Sequence, residues 1–109
     1  MKAITLKVLG VDDERYTTDG FVVPRTHGTF AVTRALGEKN VWALTHVPTG
    51  CGIVSRRALA ERWSRARAIR FAKKVREVLP LPVFETDYDR AKICFLAQHP
   101  KLGKFLETA

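Results

Sequence analysis

Between Thr29 and Val54 the chain runs through three short alternating stretches joined by links of four and three residues. Thr29 to Leu36 alternates Phe30, Val32, Arg34 and Leu36 with Thr29, Ala31, Thr33 and Ala35, and Gly37-Glu38-Lys39-Asn40 then supplies turn chemistry. Val41 to Val47 puts Trp42, Leu44 and His46 on one side, and Pro48-Thr49-Gly50 turns the chain into Cys51 to Val54. A parallel crossover needs a dozen or more residues, so these links admit only an antiparallel meander.

Upstream, Ala3 to Val11 reads as a strand with Ile4, Leu6 and Val8 alternating. Asp12, Asp13, Glu14 and Arg15 form a polar turn, and Thr17 to Gly20 reads as a second break. Phe21-Val22-Val23, closed by Pro24, is expected to be an edge segment.

A one-sided sheet needs a cover, and Ser55 to Leu79 provides it. Ala68, Phe71, Ala72, Val75, Val78 and Leu79 recur at helical spacing, with Arg67, Arg70, Lys73, Lys74 and Glu77 largely opposite. Ser64 is a suitable N-cap, and Pro80 and Pro82 stop the helix. A kink or break is expected near Trp63–Ser64, with Ser55 to Trp63 a short turn of helix placing Leu59 and Trp63 on one apolar side.

The expected fold is therefore α+β: a three-stranded antiparallel meander plus an N-terminal strand, packed on one long basic helix. Phe30, Val32, Trp42 and Leu44 would meet Phe71, Ala72 and Val75, while Thr29, Ala31, Thr33, Ala43 and Thr45 would form an open face of small residues. Thr86 and Asp89 suggest the cap of a second helix, Asp87 to Gln98, followed after Pro100 by an amphipathic tail, Lys101 to Leu106. The tail either covers the core or forms a homodimer contact. All 109 residues fit one domain with its core at 29–79 and a C-terminal helical segment at 86–107.

Charge is concentrated in the same helical stretch. Ser55 to Leu79 holds nine Lys/Arg against Glu61 and Glu77, which is +7 of the chain's formal +8. Ordinary solvated helices mix signs to form i,i+4 pairs, and this one mostly does not. Such a local excess attracts polyanions. Arg56, Arg57, Arg62, Arg65, Arg67, Arg70, Lys73 and Lys74 are the expected contacts to DNA or RNA phosphates. An acidic surface on a host protein would want the same charges, so a small basic adaptor or inhibitor is the alternative.

Nothing in the sequence argues for catalysis or a cofactor. His27, His46 and His99 share no metal-ligand spacing, and the acids at Asp12–Glu14 complete no calcium loop. Cys51 and His46 face each other across a turn without an oxyanion hole, and His46 reads as a turn-side hydrogen-bonding residue. There is no P-loop or dinucleotide fingerprint; Gly50-Cys51-Gly52 is a lone pair of glycines. Two cysteines are too few for a disulfide framework and are expected as buried thiols in a reducing compartment. No apolar run approaches the roughly 20 residues of a membrane span, and the N-terminus lacks the pattern of a secretory signal. The expectation is a soluble, cytoplasmic, non-catalytic protein.

The order of three antiparallel strands and a basic helix, Thr29 to Leu79, resembles the DNA-binding domains of phage integrase arm-binding regions and of plant ethylene-response factors. That resemblance is one of topology and implies a phage- or plasmid-like DNA-binding role, with Arg and Trp on a sheet face in the major groove. The residues of those types here, Arg34 and Trp42, fall on the side expected to face the helix. The junction Gly50-Cys51-Gly52-Ile53-Val54-Ser55-Arg56-Arg57-Ala58 is also similar to the strand-to-helix junction of double-stranded RNA-binding domains, which implies a phosphate clamp at the helix start.

Overall fold

A computed structural model describes residues 1–10, 12, 14–26, 28–53, 55–78 and 104. Five strands, β1 (Ala3–Leu9), β2 (Arg15–Val22), β3 (Phe30–Arg34), β4 (Trp42–His46) and β5 (Cys51–Ile53), form one antiparallel sheet in sequence order. Two helices follow, α1 (Ser55–Ala60) and α2 (Arg65–Val78). The class is α+β, as the short links require. The second helix and tail expected beyond Thr86 lie outside the described residues, Lys104 excepted.

The sheet has a strand more than the meander plus one. Arg15 to Gly20, read as turn and break, pairs with β1 from Leu9↔Arg15 to Ala3↔Phe21. Phe21 and Val22 are not at an edge, because β2 lies between β1 and β3. Gly20 is inside the strand because a Cβ there would come within 2.6 Å of the Val32 carbonyl oxygen. Asp12 ties the β1–β2 hairpin, accepting from the Glu14 amide at 3.0 Å and from the Tyr16 hydroxyl.

One sheet face carries Phe30, Val32, Leu44 and Ile53, in register across β3, β4 and β5. It packs on Ala58, Trp63, Ala68, Phe71, Ala72 and Val75 to form the core. Trp63 and Phe71 meet edge to face at 5.4 Å. Full burial of side chains of this size contributes about 1.5–3 kcal/mol each. Leu59, expected beside Trp63, is 47% exposed.

The other face is not open. The sheet curls until β1 meets the β4–β5 turn, where the Leu9 amide donates to the Gly50 carbonyl at 2.8 Å. Arg15 closes the same seam through the Thr49 carbonyl at 3.2 Å. Gly50 sits there at φ 71°, and a Cβ would meet the Lys7 carbonyl oxygen at 2.9 Å. Ala31, Thr33, Ala43 and Thr45 are consequently buried, and the Thr33 and Thr45 hydroxyls share a hydrogen bond of 2.9 Å. A cavity of about 310 Å³ remains on this side, with Val8, Thr33, Thr45 and Leu59 in its lining.

His46 is fully buried, its ring against Phe30 at 5.3 Å and its Nδ1 2.9 Å from the Thr49 hydroxyl. Burial holds the imidazole below its ordinary pKa, so it is neutral at pH 7. Cys51, its cross-strand partner, carries a buried thiol.

Candidate nucleic-acid interface

The candidate interface is built on the break between α1 and α2, which falls where a break is expected near Trp63–Ser64 and makes the helical segment two helices and not one long helix. At the end of α1 the Trp63 amide donates to the Ala58 carbonyl at 2.9 Å and the Arg62 amide to the Leu59 carbonyl at 3.2 Å. Arg62 has φ 50°. This pair of bonds around a left-handed residue is the Schellman motif, with Arg62 where glycine is preferred and buried Trp63 and Ala58 making the accompanying apolar contact. Two residues on, the Ser64 hydroxyl accepts from the Arg67 amide at 3.1 Å and caps α2. The Trp63 carbonyl accepts from the Trp42 amide at 3.0 Å, which fixes the start of α2 beside β4. Its far end is held by Arg76, which donates to the Pro24 carbonyl at 3.1 Å.

The turn sorts the eight expected phosphate contacts into two sets. Glu61 lies between two arginines, 2.6 Å from Arg57 Nε and 3.0 Å from Arg67 Nη2. The Arg57 guanidinium hydrogen-bonded to it holds the Glu61 carboxyl below the usual range, with Arg67 adding to the effect. Arg67 also lies over the Trp63 ring at 5.0 Å, and only 17% of its side chain is exposed. Arg62 is 3.7 Å from Glu38, and Lys74 is 3.7 Å from Glu77. Arg57, Arg62, Arg67 and Lys74 therefore each have a carboxylate beside them.

Arg56, Arg65, Arg70 and Lys73 are exposed and have no ion pair among the described residues. Arg70 and Lys73 stand on the outer face of α2 with Ala66 and Glu77, opposite buried Ala68, Phe71, Ala72 and Val75. Arg65 leaves the helix at its start and lies over Phe21 of β2, its guanidinium carbon 3.9 Å from the ring centroid and 5.8 Å from that of Trp42.

One residue was not among the expected contacts. Arg34 is exposed, and its guanidinium carbon is 4.9 Å from the Trp42 ring centroid. Alternation alone puts Arg34 and Trp42 on the same side, and their cross-strand register makes them neighbours. Arg34 lies outside the basic helical segment, so the concentration of charge there does not point to it. With Phe21 and Trp42 5.9 Å apart, the order Arg34, Trp42, Phe21, Arg65 is a continuous row from β3 to the start of α2.

No helix among the described residues is long and apolar enough to cross a membrane. Comparison with protein-family models, curated proteins and solved structures found no match.

Proposed function

We propose that the protein is a non-catalytic nucleic-acid-binding protein that holds the phosphate backbone on the outer face of α2, with low sequence specificity. The observation that carries this reading is a group of exposed cations of the helical segment that have no ion pair among the described residues: Arg70 and Lys73 on α2, Arg65 at its start and Arg56 on α1. The first turn of α2 holds no acidic residue, so the positive end of the helix dipole adds to the same field.

The mechanism is electrostatic. Each cation that reaches a phosphate releases a condensed counterion, and affinity falls as a power of the salt concentration. Low specificity follows from contacts made to phosphates, which carry no sequence information. The outer face of α2 presents Ala66, Arg70, Lys73 and Glu77, a charged row without the amides that pair with adenine.

Fluorescence anisotropy with labelled duplex DNA, single-stranded DNA and duplex RNA, each across a salt series, tests the reading. Binding that weakens steeply with salt is expected. Absence of binding to all three at low salt would overturn it and assign the basic face to an acidic protein partner.

A further inference from the structure

We infer that the row Arg34, Trp42, Phe21 and Arg65 is a platform for an unpaired base, which makes a single strand the preferred ligand. The inference rests on the nucleic-acid reading above and adds the form of the ligand.

A guanidinium lying on an aromatic ring is held by the ring quadrupole and loses much of its rotamer freedom. Arg65 lies on Phe21 at 3.9 Å and Arg34 on Trp42 at 4.9 Å, both in exposed positions. Arg34 is held further by the bond that its Nη1 donates to the Lys39 carbonyl, so what each exposed arginine offers a ligand is its outer planar face and its remaining N–H groups. The face can stack a base while the N–H groups reach a phosphate, the combination that single-strand readers use. Lysine supplies the charge but has no plane to stack. Trp42 is 8% exposed, so the arginine planes and not the indole meet the ligand.

Beside the row is an open recess of about 390 Å³, lined in part by Thr5, Asp19, Phe21, Arg34 and Trp42. Asp19 repels phosphate but accepts hydrogen bonds from base N–H groups, and the Thr5 hydroxyl lies 3.4 Å from its Oδ1. The two surfaces thus divide a strand between them. Phosphates follow Arg65, Arg70 and Lys73 along α2, and a base turns toward the sheet. A continuous duplex keeps its bases stacked inside and reaches only the first surface.

The test compares single-stranded and duplex DNA of the same length in the wild type, in R34K/R65K and in R70Q/K73Q. The wild type is expected to bind the single strand more tightly. R34K/R65K keeps every charge and should lose roughly tenfold on the single strand, with the duplex nearly unchanged. R70Q/K73Q should weaken both ligands and leave their ratio in place. Wild-type preference for duplex, or an undiminished single-strand preference in R34K/R65K, overturns the inference while leaving the nucleic-acid reading standing. Failure of the wild type to bind either form removes that reading instead. Circular dichroism of each variant confirms that the fold is retained.

Discussion

Two parts of the same basic segment carry similar numbers of charges and use them differently. At the α1–α2 turn, Arg57 and Arg67 close on Glu61, Arg62 faces Glu38, and Arg67 covers the Trp63 ring. Along the outer face of α2 and at its start, Arg65, Arg70 and Lys73 have no such carboxylate among the described residues. The first group serves the fold by fastening a helix junction over a buried tryptophan. The second is the set that the proposed function uses. Net charge in a sequence counts both alike, and only the path of the backbone separates them.

The comparison breaks most visibly at Arg67. R67A removes the bond to Glu61 and uncovers Trp63, so a loss of about 1–3 kcal/mol in chemical denaturation is expected. An equivalent change at exposed Arg70 should be nearly silent in the same measurement. Equal effects at the two positions would erase the distinction.

Glu61 sharpens the comparison from the other side. Its lowered pKa means that the stability it supplies is present above the ordinary carboxylate range and is lost as pH falls through that lowered value. At neutral pH the junction is therefore closed. E61Q mimics the protonated state, releasing Arg57 and Arg67 from their carboxylate, and should lower stability slightly while raising polyanion affinity roughly severalfold. Anisotropy and thermal melts of the one variant report both effects.

The smallest effect is at the turn itself. Arg62 occupies a left-handed position that suits glycine, so R62G should raise stability by about 0.5–1 kcal/mol in denaturant titration. A destabilised R62G would mean that the Arg62–Glu38 contact, and not backbone geometry, governs the junction.

Much of this fold was legible in the chain. The links at Gly37–Asn40 and Pro48–Gly50 forced antiparallel pairing, and helical spacing identified Phe71, Ala72 and Val75 as the covering face. Ser64 was readable as a cap because its chemistry is local. Strand β2 was not readable, since Arg15 to Asp19 is polar on both sides and Gly20 looks like a break until the Val32 carbonyl is beside it. The curl that buries Thr33 and Thr45 depends on a seam between β1 and the β4–β5 turn, about 40 residues away in sequence, which no periodicity encodes. The same limit applied to the site. Spacing located the basic helix, but the closure of Glu61 on Arg67 needs the left-handed turn at Arg62, and the row that links Arg34 to Arg65 through Trp42 and Phe21 needs the register of three strands.

The most direct measurement is the salt dependence of single-strand affinity in two double variants that remove equal charge. Each lost phosphate contact lowers the slope of log K against log salt by about 0.7 for a single strand. R70Q/K73Q is expected to lose close to two contacts' worth of slope, and R57Q/R62Q almost none. Equal losses in the two variants would contradict the account, because total charge and not its partnering would then determine binding.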